Sequence, residues 1–348
     1  MLTPHRTFPF RGVVIIADLL PEDPELAIDR RRDLELTNPQ TLQQLLDAIL
    51  RLGLKVQHYE HPKILAEHAA KHMGDVILSI FGGAVSRSRM ALVPAVCETF
   101  GLSFVGPDAY GRIICQDKEV SKTIALEAGL KVAPHRIVRE KSDISRVLDF
   151  PLPYVAKPLW EGSSIGIGSK SLVTDRHQGE IVLQQLLEDF EQPIMVESFI
   201  SGREVSWCFI DGLETDRVRA FAEMVWADEP DHFDRNLYDA QHKLISEGRK
   251  TVRNITDELR ARDAEAMERL LQMVGPIGYG RIDGKLRNGE FVFLEITPDA
   301  WLGPTGTFVS SFSSYGMSFD EVIARVLLSA RTNLPSQSPN DLNIPGDT

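Results

Sequence analysis

Cysteine is scarce in this 348-residue chain: Cys97, Cys115 and Cys208 are odd in number and far apart. That excludes a disulfide framework and a zinc ribbon, and it points to a reducing compartment, the cytoplasm. No apolar run approaches the roughly 18–20 residues that span a bilayer, so a membrane protein is not expected. At the N-terminus Arg11 stands directly before a short apolar run, and Asp18 follows. This reads as a buried first strand, since a signal peptide needs a longer apolar stretch and a small-residue cleavage site. A surplus of positive charge is also missing: the formal net charge of −12 disfavours a nucleic-acid or anionic-membrane binder. There is no internal repeat. His58, His61, His68 and His72 lie near one another, but with no Glu-x-x-His pattern or cysteine beside them a zinc site is not indicated.

What is present is the balance of a soluble globular protein, 43% hydrophobic and 25% charged, in a chain long enough for two or three packed subdomains. GVVIIA (12–17) reads as a buried strand. Thr37-Asn38-Pro39 then supplies a cap and a first-turn proline for the helix QTLQQLLDAILRLG, closed by Gly53. LKVQHYE and DVILSI (75–80) are further strands, with a helix from about 88 to 100 and the short strand LSFVG after them. Repeated strand–helix–strand units predict a parallel, doubly wound sheet. Past residue 115 come a helix, QDKEVSKTIALEAGL, a strand-rich stretch over 191–227, and a polar, aperiodic segment over 228–250 that suits a lid. A helix over 256–274 precedes the hairpin YGRIDGKLR–NG–EFVFLEI, whose Asn288-Gly289 pair signals a type I′ turn. A final helix, 318–331, gives way to a Pro/Ser/Asn tail expected to be disordered.

Two stretches carry chemistry. In YVAKPLWEGSSIGIG, Lys157 ends a strand and a glycine-rich loop follows, with Gly162, Ser163 and Ser164 at its start. Glycines admit close backbone approach, and successive N–H groups with two hydroxyls can cradle phosphate oxygens. The alternative is a flexible hairpin loop with a surface lysine. On the late hairpin, Arg281 and Asp283 lie two apart, as do Glu295 and Thr297, so each pair shares a face. Asp and Glu on one face suit hard divalent cations that bridge phosphates. The alternative is a solvated face with a salt bridge.

CQDKEVSKTIALEAGLKVAP, KPLWEGSSIG, MVESFISGREV and GRIDGKL…FLEIT follow one another in the order and spacing of D-alanine–D-alanine ligases, and the chain resembles that family over roughly 100–330. The resemblance implies an ATP-grasp fold, mixing α/β and α+β parts: an N-terminal doubly wound domain (1–114), a small ATP-grasp subdomain (115–192), a C-terminal catalytic subdomain (193–333) and the tail (334–348). It implies a carboxylate–amine ligase using ATP and Mg²⁺, two ions or Mn²⁺ instead. Its partners are a small amino or carboxylic acid donor and an amine acceptor, in a possible homodimer. By position, Lys118 and Lys157 resemble the lysines that contact the ATP phosphates. Glu197, Ser198, Phe199 and Ile200 resemble the adenine hinge, and Glu204 the ribose ligand. Ser163 resembles the loop serine near the reacting centre, and Arg281 the arginine that steadies the transferred phosphate. Asp283, Glu295 and Thr297 fall on the metal-binding positions, and Lys243 on the basic residue of the closing loop.

The departures from the family bear on the substrate. Thr297 stands where the family pattern has Asn. The Gly-rich turn with a Glu-x-x-x-Ser-like segment, which holds the first D-alanine's ammonium, has no counterpart, nor does the His-Gly…Gly-Glu-Asp-Gly element. FGGAVSRSRM stands in the latter's place, with Arg87 and Arg89 where acidic character is expected. Guanidinium forks there suit an anionic donor group, so the donor is expected not to be simply D-alanine; both arginines as solvated helix-start residues is the alternative. Trp301, in the acceptor-side loop, suggests a reshaped second-substrate pocket, with a buried structural tryptophan as the other reading. Two competing functions remain: true D-alanine–D-alanine (or D-lactate) ligation for cell-wall synthesis, and a non-catalytic nucleotide-binding ATP-grasp protein.

Overall fold

The computed structural model describes residues 7–20, 35–83, 86–212, 217–229, 231–239, 242 and 249–330. Lys243, the 29–33 run DRRRD and the 334–348 tail lie outside the described residues. No helix among the described residues is long and apolar enough to cross a membrane.

The first sheet is all parallel, in the order β2-β1-β3-β4, from β1 (Gly12–Ile16), β2 (Lys55–Tyr59), β3 (Val76–Ser79) and β4 (Ser103–Val105). Its central strand is apolar on both sides because both sides are covered. Val13 and Ile15 enter one core with helix α1 (Pro39–Arg51). Val14 and Ile16 enter another with α2 (Pro62–His68) and α3 (Leu92–Phe100). The start of α1 is as the sequence predicts: Asn38 accepts the Gln40 N–H at 2.8 Å, and Pro39 occupies the first turn.

α4 (Ala109–Gln116) and α5 (Lys118–Glu127) follow, then β5 (Lys131–Val132). α5 packs on the larger of two further sheets and β5 joins its edge, while the strands of the small sheet lie within 135–198. That sheet, ordered β6-β9-β7-β8, consists of β6 (His135–Val138), β7 (Tyr154–Pro158), β8 (Leu172–Val173) and β9 (Ile194–Ser198), with α6 (Arg176–Phe190) against it.

The large sheet runs β12-β11-β10-β13-β14-β5, with β10 (Arg203–Asp211), β11 (Arg217–Trp226), β12 (Lys250–Asn254), β13 (Tyr279–Arg287) and β14 (Glu290–Thr297). One face buries Val205, Trp207, Phe209, Ile282 and Phe293 against α5 and α7 (Ala261–Val274). The helix expected over 256–274 thus starts later, after a separate short turn at Thr256–Glu258. The opposite face is apolar at one end, where Cys208, Ile210 and Tyr279 meet α8 (Thr307–Ser313) and α9 (Phe319–Leu328), and polar at the other. The β13–β14 turn has Asn288 and Gly289 at φ +53° and +71°, the left-handed pair of a type I′ turn.

Candidate active site

The polar end of the large sheet is set by strand register. Glu204 pairs with Lys285, Ser206 with Asp283 and Cys208 with Arg281; Asp283 in turn pairs with Glu295, and Arg281 with Thr297. Directly opposed residues share a face, so all of these point one way. A bulge makes the arrangement possible. Asp283 opposes Glu295 but Gly284 opposes Phe293, which leaves Leu294 without a counterpart. Phe293 therefore enters the apolar core while Glu295, two residues on, faces the site. Gly284 fits only as glycine, because a Cβ would lie 2.4 Å from the Phe291 ring.

Within this face Arg281 Nη2 donates to Asp283 Oδ2 at 3.0 Å, Ser206 Oγ to Asp283 Oδ1 at 2.5 Å, and Thr297 Oγ1 to Asp283 Oδ2 at 3.3 Å. Burial raises the Asp283 carboxyl above its ordinary range; Arg281 opposes the rise and the neighbouring charge of Glu295 adds to it. Two carboxylates and a hydroxyl, all hard oxygen donors, fit a hard cation such as Mg²⁺. No group of three or more His, Cys, Asp or Glu suited to a metal occurs among the described residues, so the remaining ligands of such an ion would come from substrate oxygens or water. Arg281 Nε is buried without a hydrogen-bond partner, a donor left over for a ligand. Lys285, buried, donates to Glu204 at 2.7 Å and to the Phe233 carbonyl at 2.9 Å.

Facing this sheet, the small sheet and α5 supply three buried lysines. Lys157 Nζ pairs with Glu197 Oε2 at 2.6 Å, and Lys122 pairs with Glu197 Oε1. Lys118 stands 4.0 Å from Glu295 and also donates to the Glu161 carbonyl. Burial would raise the Glu197 carboxyl, but the two ammonium groups overcome it and hold it at about 2. Burial lowers Lys122 to about 8 despite Glu197, and lowers Lys118 despite Glu295. For Lys157 burial acts downward, yet Glu197 and Glu295 raise it above the ordinary lysine value. The Ser198 and Phe199 N–H groups bond to the Pro134 and Pro153 carbonyls, and Ile200 follows them out of β9.

The glycine-rich loop joins the two halves. Ser163 and Ser164 both have left-handed backbone, φ +49° and +60°, which costs a non-glycine residue about 1–3 kcal/mol unless its surroundings hold it. They do hold it. Gly162 N–H donates to Glu35 Oε1 at 2.7 Å, Ser164 Oγ donates to the Tyr238 carbonyl at 2.9 Å, and Ile165 is buried in the small-sheet core. Arg89, in the short turn that leads into α3, donates through Nη2 to Glu35 at 2.6 Å and to Glu161 at 2.8 Å. Both carboxylates are already bound to the guanidinium, so of the two arginine forks expected at this corner the Arg89 fork is taken up, in a knot of one guanidinium and two carboxylates. Arg87 is exposed, its guanidinium 5.6 Å from the Trp160 ring centre. Trp301 is 47% exposed, not buried, and leans over Gly303 and Gly306, where a Cβ would fall 2.3 and 2.7 Å from its ring.

The structure thus brings together Lys118, Lys157, Glu197, Glu204, Arg281, Asp283, Glu295, Thr297 and the loop from Gly162 to Ser164. It adds Lys122, Ser206, Lys285, Glu35 and Glu161, which sequence reasoning missed. Three had a local signal: Lys122 is one helical turn after Lys118, while Ser206 and Lys285 each lie two residues along a strand from a chosen residue. Glu35 had none.

A family profile described as D-ala D-ala ligase C-terminus matches residues 124–328. A D-alanine–D-alanine ligase from Acinetobacter baumannii is 25% identical over 290 residues, covering 82% of this chain and 88% of its own length. Among solved structures, the D-alanine–D-alanine ligase from Bacillus anthracis complexed with ATP superposes with a TM-score of 0.67 at 16% identity, over 92% of this chain and 97% of that one. The VanG D-Ala:D-Ser ligase from Enterococcus faecalis gives a TM-score of 0.66 at 15% identity, over 91% and 98%. The fold is that of these proteins, ATP-grasp.

Proposed function

Since the chain belongs to the D-ala D-ala ligase C-terminus family and is an ATP-dependent ligase, we propose that it activates a small carboxylic acid as an acyl phosphate and passes the acyl group to an amine. The observation that supports this most is the face where Arg281, Asp283, Glu295 and Thr297 stand opposite Lys118 and Lys157. A carboxylate is a poor electrophile, and phosphorylation by the γ-phosphoryl of ATP gives it a leaving group. Two anions must approach for that, and the residues here address the charge. On this reading Lys157 and Lys118 contact the phosphates, and Arg281 has a buried donor to spare. The N–H groups of Ser163 and Ser164 and the Ser163 hydroxyl close the loop over them. One or two Mg²⁺ or Mn²⁺ ions held by Asp283, Glu295 and Thr297 would neutralise phosphate oxygens. When the amine attacks, the tetrahedral oxyanion develops beside Arg281, and a well-aimed donor of this kind is worth about 3–4 kcal/mol.

The donor, on this reading, is not simply D-alanine. The Glu-x-x-x-Ser-like and His-Gly…Gly-Glu-Asp-Gly elements are missing from the sequence, and the Glu35–Arg89–Glu161 knot binds the first residues of the loop. Exposed Arg87 and Trp301 are the side chains offered to donor and acceptor. Incubation with Mg-ATP, hydroxylamine and a panel of D- and L-amino acids, hydroxy acids and dicarboxylates tests both statements, because hydroxylamine intercepts an acyl phosphate. A hydroxamate from an acid other than D-alanine is expected. D-alanine as sole donor would return the cell-wall reading; ATP binding without hydroxamate from any acid would favour the non-catalytic one. Thr297→Asn is expected to keep or raise turnover and to lower the Mg²⁺ concentration needed for it.

A further inference from the structure

The residues between Asp228 and His242 carry an arrangement that the proposed chemistry does not use. His232 and His242 face each other, Nε2 to Nε2, at 2.8 Å. Each ring is fixed on its far side: His232 Nδ1 lies 2.9 Å from Glu229 Oε2, and His242 Nδ1 lies 2.7 Å from Asp239 Oδ1. Asp239 Oδ1 also accepts the His242 backbone N–H at 2.9 Å, and the bond from His232 holds the Glu229 carboxyl below its usual range. Asn236 Nδ2 also lies 3.5 Å from His232 Nδ1, but it donates to the His232 carbonyl at 2.8 Å, so both carboxylates act as acceptors and each Nδ1 carries the hydrogen.

Proton counting then leaves one solution. With no proton between the Nε2 atoms two lone pairs oppose each other; with two, N–H meets N–H. A 2.8 Å contact needs a single shared proton, hence one imidazole and one imidazolium. A metal ion fits less well, because two imidazole nitrogens on tetrahedral zinc stand about 3.3 Å apart. The chain between the two histidines touches the site twice: the Phe233 carbonyl accepts from Lys285 at 2.9 Å, and the Tyr238 carbonyl accepts from Ser164 at 2.9 Å.

We infer that His232 and His242 are positioning residues: their one shared proton fastens this segment to Lys285 and to the glycine-rich loop, and the fastening fails when the pair gains a second proton or loses the first. Among the described residues, other charged or titratable groups around the pair are Arg235, Tyr238, Arg249 with its partner Asp228, Lys250 and Lys285. They shift the limits of the pH window without altering the proton count. The inference rests on the ligase reading only where turnover is measured.

The test therefore begins without substrate. Full-length protein is digested briefly with trypsin across about pH 5–9, with and without EDTA, at a protease level calibrated at each pH on a denatured control. Cleavage at Arg235 and Arg249 is scored. We expect protection at intermediate pH and cleavage about tenfold faster on either side, as local opening exposes the segment. Trp226, stacked on His232 with ring centres 5.5 Å apart, should show a matching fluorescence change, since imidazolium quenches indole; Trp226→Phe gives the blank. His242→Gln lets an amide N–H donate to neutral His232, so protection should persist to high pH. In the hydroxamate assay, the parent's alkaline limb in kcat/KM should disappear in this variant. A flat digestion profile for the parent, an unchanged profile in His242→Gln, or loss of protection with EDTA each overturns the inference. The expected digestion and fluorescence with no hydroxamate would instead count against the ligase reading.

Discussion

Replacing Glu197 by Gln removes the one carboxylate shared by Lys122 and Lys157, and the structure gives the size of the effect. The carboxyl is held at about 2 against an ordinary 4.5, so folding favours its charged form by about 3 kcal/mol. Lys122, at about 8 against 10.5, is disfavoured as a cation by a similar amount, about 3 kcal/mol at neutral pH. Both figures contain the same Glu197–Lys122 attraction, so they are not independent; burial and pairing oppose each other at similar size, as in many buried ion pairs. Losing one partner upsets that balance. Glu197→Gln should cost about 3 kcal/mol at pH 7, Lys122→Met about 1 or less, and the double variant about 2 kcal/mol less than Glu197→Gln alone. Urea unfolding followed by far-UV circular dichroism measures all three. The pH dependence has a definite sign for each group. The depressed carboxyl contributes stability above about 4.5 and loses it as pH falls towards 2. The depressed lysine carries a penalty below about 8, relieved as pH rises to 10.5, because the unfolded chain binds more protons in that interval. Lys122→Met should lack that alkaline rise. A cost below about 1 kcal/mol for Glu197→Gln, or strict additivity in the double variant, would refute the reasoning.

Three further outcomes follow from the same geometry. Asp283→Asn removes an oxygen ligand and the partner of Arg281, so stabilisation by Mg-ATP in a thermal melt should vanish and turnover should fall by about 10²–10³-fold. Gly162→Ala places a methyl 2.3 Å from Glu35 Oε1, and it should raise the KM for ATP about tenfold with a smaller change in kcat, by pushing the loop off Glu35. Arg89→Ala leaves the half-buried Glu35 and Glu161 together without their cation, at a cost of about 2–3 kcal/mol read from urea unfolding. Arg89→Lys should recover part of that, but not the contacts a planar fork makes with two carboxylates at once.

Local pattern settled a large share of this protein. The apolar run at 12–16, the Asn38-Pro39 cap and the Asn288-Gly289 turn each contain their own instruction, because the forces involved act within a few residues. The same holds for Lys157 before a glycine-rich loop, and for the two-residue spacing of Arg281 with Asp283 and of Glu295 with Thr297. The rest needed the folded chain. The unpaired Leu294 decides that Phe293 faces the core while Glu295 faces the site, and strict alternation along the sequence would have put both on one side. Glu35 reaches Gly162 across 127 positions and Arg89 reaches Glu161 across 72, and no periodicity spans such distances. Arg89 reads in the sequence as a spare positive charge; packing buries it and supplies its two half-buried carboxylates. Whether a charged residue is free or bound depends on what the fold brings within about 4 Å of it, and that is a property of tertiary structure alone.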